Sequence, residues 1–124
     1  DGNVVAEAFN RVVISSDPTA HAEVQAIRLA AATLKTHDLS DCILYSSCEP
    51  CPMCLGAIYW ARIKKVVYAC DRVDAEKAGF SDKLIYDELV RDPSDRGIEF
   101  LRLTNAGGTE VFAAWDALAD KIRY

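Results

Sequence analysis

The stretch from residue 42 to residue 70 constrains the fold more than any other, because it passes from β-formers to a helical pattern and back with little connecting chain. Cys42, Ile43, Leu44 and Tyr45 make a short apolar run that reads as a buried strand. Pro50 or Pro52 opens a helix continuing through Leu55, Ile58 and Trp60 to about Ala61, proline being tolerated in a helix's first turn. Residues 65–70, Lys-Val-Val-Tyr-Ala-Cys, return to β-formers. A strand, a helix and a second strand in this order predict a parallel pair joined by a right-handed crossover.

The rest of the chain continues the alternation. Residues 4–9 read as a strand after the hairpin-turn tripeptide Asp1-Gly2-Asn3, and residues 12–15 as its extension. A hairpin turn needs a strand before it, so an N-terminal segment is expected to be missing from this chain. Asp17-Pro18-Thr19 marks a stop and a helix start, and Val24, Ile27, Ala31 and Leu34 recur at helical spacing over residues 19–35. Further helices are expected near residues 75–78, over 83–90 and over 110–122, with another strand at 98–103. Together these predict one three-layer α/β/α domain over residues 1–124. Its central sheet is mixed: largely parallel, with one antiparallel partner at the start.

Composition narrows the partners. No run of about 18 apolar residues is present to span a membrane and no signal peptide is visible, so a soluble cytoplasmic protein is expected. Fourteen basic against nineteen acidic residues give a net charge of -5, which argues against a nucleic-acid groove and for a small substrate. Five cysteines, an odd number without a secretion signal, favour metal binding or plain burial over a disulfide framework.

Cys51-Pro52-Met53-Cys54 at a helix start suits zinc, since successive turns bring two thiols together and a helix N-terminus favours thiolates. A third ligand must come from elsewhere. Of the two histidines, His37 follows a helix end as an ordinary exposed residue, whereas His21 opens a helix with Glu23 two positions on. His-Ala-Glu followed by Pro-Cys-Pro-Met-Cys matches the zinc deaminase pattern H-x-E…P-C-x-x-C. One imidazole and two thiolates leave a position for a water whose pKa falls towards about 7, and Glu23, not itself a ligand, can carry protons from that water to the substrate. Cys48 reads as a neighbour, with a three-cysteine site as the alternative; Cys42 and Cys70 read as small buried hydrophobes. A structural zinc domain would need Cys48 as a fourth ligand, and a redox C-x-x-C is the remaining option.

Residues 17–23, Cys48-Glu49-Pro50-Cys51-Pro52-Met53-Cys54 with the eight residues after it, and Ala78-Gly79-Phe80-Ser81-Asp82 together resemble the bacterial guanine deaminase branch of the cytidine and deoxycytidylate deaminase superfamily. The resemblance runs from the first residues to the last. It implies a cytidine deaminase-like fold and a zinc-dependent hydrolysis of guanine to xanthine and ammonia, with zinc on His21, Cys51 and Cys54 and Glu23 as the catalytic acid/base. By the same resemblance Asn10 contacts the purine, Phe80 stacks on it, Asp82 accepts from its N–H groups and Trp60 forms part of the wall. Tyr124 would close the site on a C-terminal tail exchanged between the subunits of a homodimer. The family normally begins with a helix and an edge strand ahead of the Asp-Gly turn, which agrees with a missing segment. Guanosine, ammeline and adenosine in transfer RNA are the alternative substrates, the last disfavoured by the acidic balance.

Overall fold

The structure, a computed structural model, describes residues 2–104 and 106–123. It divides into two compact units, Asp1–Tyr86 and Asp87–Tyr124. The first contains α1 (Val12–Ser15), α2 (Ala22–Leu34), β1 (Ile43–Cys48), α3 (Pro52–Trp60), β2 (Lys65–Cys70), α4 (Arg72–Lys77) and the start of α5 (Lys83–Leu89). The expected strand-helix-strand unit is present: β1 and β2 pair in parallel, with α3 as the connection. Leu44 stands opposite Val66, Ser46 opposite Tyr68 and Cys48 opposite Cys70.

Four features of the first unit differ from expectation for identifiable reasons. Residues 4–9 are irregular, because β-forming side chains hold an extended segment only when a neighbouring backbone pairs with it, and none does among the described residues. Residues 12–15 form α1 rather than a strand: Asn10 Oδ1 accepts the Val12 N–H at 3.0 Å, and the Ser15 hydroxyl donates to the Arg11 carbonyl at 2.7 Å. Such local side-chain bonds offer the backbone an alternative to a ladder. The helix expected from residue 19 begins at Ala22, because Asp17 Oδ1 accepts both the N–H and the hydroxyl of Thr19, at 2.8 and 2.7 Å, and folds residues 17–19 into a turn. α4 starts earlier than expected, where Asp71 and Asp74 form a reciprocal capping box.

The second unit holds the end of α5, a short 3-10 turn at Pro93–Asp95, and α6 (Gly108–Ala117). Residues 98–103, expected as a strand, are irregular and unpaired in any ladder. α6 stops at Ala117 rather than near residue 122; Lys121 Nζ reaches back to the Asp116 carbonyl at 2.5 Å and its carboxylate at 3.2 Å, placing a cation on the helix C-terminus. Ile98, Phe100, Leu101, Leu103, Val111 and Phe112 are each more than half exposed.

The core of the first unit joins the C-terminal ends of α2 and α3. Ala30, Leu39 and Ala61 pack together with Ala6, Ile27, Cys42 and Ile63 around them. The Leu39 N–H donates to the Ala61 carbonyl at 2.9 Å, and Asp38 accepts from the Ser40 N–H and the Arg62 guanidinium, both at 3.0 Å. The loop leaving α2 is thereby pinned to the end of α3. Since the opposite ends also meet, with His21 and Cys51 side chains 3.6 Å apart, the two helices point the same way. Leu39 is 2% exposed, so Leu39→Ala empties the centre of this joint. The expected outcome is a loss of about 3 kcal/mol of unfolding free energy, measured by urea titration.

Candidate metal and catalytic site

Two helix N-termini face each other at the opposite end of this pair. His21 is the N-cap of α2 (φ -64°, ψ 153°) and Cys51 the N-cap of α3 (φ -63°, ψ 168°), with Pro52 fixing the first helical position. N-cap side chains ordinarily fold back onto their own helix's N–H groups. The His21 ring makes no such bond, while the Cys51 sulfur stays near the N–H groups of Met53 and Cys54 and also faces His21. Cys54, one turn into α3 and completely buried, completes the group. His21 is thus at the helix entry rather than inside its first turn, where Glu23 lies.

The donor atoms of His21, Cys51 and Cys54 all lie within 4.8 Å of one another. Tetrahedral zinc binds sulfur at about 2.3 Å and nitrogen at about 2.0 Å, separating an S and an N ligand by roughly 3.5 Å. The 3.6 Å between Cys51 Sγ and His21 Nδ1 matches that spacing. One borderline base and two soft thiols are also the donor chemistry zinc selects, so the residues present fit the ion. The thiols are electrostatically unequal. A hydrogen bond from Cys54, the nearby N–H groups of Cys54 and Met53, and the His21 imidazole outweigh burial and bring Cys51 down to about 5. The same bond to Cys51, then burial and the Glu23 carboxylate, push Cys54 well up. Cys51 is the ready thiolate; Cys54 keeps the proton that a dication must displace.

Glu23 stands beside this group without belonging to it. Its Oε2 is 3.5 Å from Cys54 Sγ, and its Oε1 accepts from the Ser46 hydroxyl at 3.0 Å. Cys48 points elsewhere, its Sγ 3.6 Å from the Asp71 carbonyl, and burial raises its pKa. Cys42 is half-buried just before β1, whereas Cys70, expected to be buried, is exposed at the end of β2, where burial on one face of a two-stranded sheet runs out.

The remaining expected site residues lie in loops and at helix ends. Asn10 is exposed and precedes α1 rather than lying on a strand, and its Oδ1 caps that helix. Trp60 ends α3 and is 67% exposed, and Phe80 is 74% exposed just after Gly79, whose φ of 88° turns the chain. Asp82 is half-buried immediately before α5, its carbonyl accepting from Ile85 and Tyr86. Tyr124 lies outside the described residues. Two neighbours of the site escaped the sequence reading. Ser46 shares its strand face with buried Leu44, and a polar residue at an inward alternate position was the available signal. Tyr86 has its pKa raised by burial and then by Asp82, with Glu49 and Cys51 also contributing, while Arg72 lies over its ring at 5.3 Å. This places Tyr86 within the electrostatic reach of both Asp82 and Cys51.

Residues 1–70 match the family model of the cytidine and deoxycytidylate deaminase zinc-binding region. The chain is 52% identical over all its 124 residues to a guanine deaminase of Bacillus subtilis, covering 80% of that protein. The X-ray structure of guanine deaminase from Bacillus subtilis superposes with a TM-score of 0.97 at 52% identity, over 100% of this chain and 79% of that one. A tRNA-specific adenosine deaminase of Haemophilus influenzae is 44% identical over 66 residues, 53% of this chain and 38% of that protein.

The geometry separates the cysteines. Cys54→Ser is expected to lower zinc content well below one ion per chain after dialysis, while Cys48→Ser keeps full content; zinc loss in the Cys48 variant would instead favour a structural site. Metal analysis of the two purified variants decides between them.

Proposed function

The chain belongs to the cytidine and deoxycytidylate deaminase family, and from that membership we propose that it is a zinc-dependent aminohydrolase converting guanine to xanthine and ammonia. The observation that carries the substrate is the 52% identity to a guanine deaminase across the chain's whole length, against 53% coverage for the tRNA-specific relative. The net charge of -5 supports a small purine over a phosphate-rich one. Residues 1–124 are read as a single deaminase domain.

His21, Cys51 and Cys54 would hold the zinc. When bound, zinc supplies positive charge that makes water a nucleophile near neutral pH and polarises its target. Glu23 is the catalytic residue: its Oε2, turned toward the ligand group, takes a proton from the attacking water and delivers protons to a purine ring nitrogen and then to the departing amine. At guanine C2 the C–O bond forms, the C–N bond breaks, and ammonia leaves. Asn10, Trp60, Phe80, Asp82 and Tyr124 would select the base, Phe80 by stacking and Asp82 by accepting from its N–H groups.

The proposal includes a cytoplasmic homodimer with exchanged C-terminal segments. No helix among the described residues is long and apolar enough to cross a membrane. The support for dimerisation is the second unit's apolar side chains, Ile98 through Phe112, left more than half exposed on a single chain. Such a surface favours a protein partner.

With the zinc-loaded protein, ammonia release from guanine, guanosine, ammeline, adenine and cytosine is expected to be fastest for guanine. Glu23→Ala should lose on the order of a hundredfold or more in kcat while retaining zinc. Light scattering should give twice the chain mass, and Phe112→Asp should halve it; a monomeric wild type would remove the exchange.

A further inference from the structure

We infer that Ser46 is a positioning residue that holds one oxygen of Glu23 and thereby aims the other at the reacting centre. This rests on Glu23 being the proton carrier proposed above.

Ser46 lies in β1 on the face it shares with Leu44 and Cys48, while Ile43, Tyr45 and Ser47 face outward. Its hydroxyl donates to Glu23 Oε1 at 3.0 Å across 23 residues of sequence, linking the sheet to the first turn of α2. The oxygen of the same hydroxyl accepts from the Cys48 N–H at 3.4 Å, so its hydrogen is committed toward Glu23. A glutamate has three side-chain torsions, and in a first turn its carboxylate can swing to solvent or onto backbone N–H groups. With Oε1 engaged by the sheet, Oε2 is left beside Cys54 at 3.5 Å, where the ligand group assembles. A carboxylate that accepts a proton from one molecule and donates it to another benefits from division of labour between its oxygens. The anchored oxygen fixes direction, and the other exchanges the proton. The effect acts through Glu23, since the Ser46 hydroxyl hydrogen is committed to that carboxylate.

The test uses the zinc-loaded protein with guanine. A hydrogen bond to a charged group corresponds to roughly a tenfold to hundredfold rate effect, so Ser46→Ala should lower kcat by about that factor, with KM and zinc content unchanged. Ser46→Thr, which restores the hydroxyl, should recover most of the rate, and its isostere Ser46→Val should not. The infrared carboxylate band of Glu23, isolated by difference against Glu23→Gln, should shift in the Ala and Val variants but not in Thr, both with and without zinc. Thr no faster than Val, or an unshifted band in Ala, overturns the inference. An unimpaired Ser46→Ala beside an inactive Glu23→Ala sinks the Ser46 role alone. A fully active Glu23→Ala sinks the proton-carrier reading and this role together.

Discussion

The site depends on two N-cap side chains whose donor atoms meet across a pair of helix ends. At most helix starts a side chain folds back to satisfy the first backbone N–H groups. Here His21 and Cys51 occupy that position, adopt the required extended backbone, and bring their donor atoms within 3.6 Å of each other, the Cys51 sulfur also lying near the N–H groups of Met53 and Cys54. The two positive helix ends therefore converge on one point, a field that favours thiolate at Cys51. The joint at Leu39 and Ala61 is the mechanical counterpart: by fixing the far ends of α2 and α3 it aligns the near ones.

The parallel strands set what surrounds this point. Because β1 leads into α3 through the cysteine turn, Cys48 and Cys51 diverge: one ends a strand beside Cys70 and Asp71, the other opens a helix. Glu49 between them ties the turn down, its N–H donating to the Cys70 carbonyl at 2.8 Å and its carboxylate accepting from the Arg72 N–H at 3.2 Å. Three thiols close in sequence are thus separated into one pair and one neighbour by backbone direction.

What the sequence revealed follows the range of the interactions involved. The grouping of His21, Cys51 and Cys54 and the strand-helix-strand unit were legible, because proline, helical spacing and the H-x-E and C-x-x-C spacings act within a few residues or belong to a family pattern. The segments at 4–9 and 98–103 were misread because their β-formers report willingness to pair, whereas a strand also needs a partner. Residues 12–15 were misread because Asn10 and Ser15 bond locally to the backbone, a competition that hydrophobic pattern does not register. The role of Ser46 is less legible for a different reason: strand alternation places it inward, but its bond to Glu23 spans 23 residues, and only the packing of sheet on helix brings the two together.

The spacing of His21 and Cys51 gives the metal group a second consequence. A dication held by both would be a covalent-like bridge between residues separated by 30 positions. Closing a loop of that length removes conformational freedom from the unfolded chain worth on the order of 3–4 kcal/mol by the polymer model used for disulfides. In a unit whose central cluster has Ala30, Leu39 and Ala61 as its buried members among the described residues, such a cross-link is comparable to a large core side chain. The ion that activates water would then also serve as a staple, making loss of the metal a folding event as much as a catalytic one.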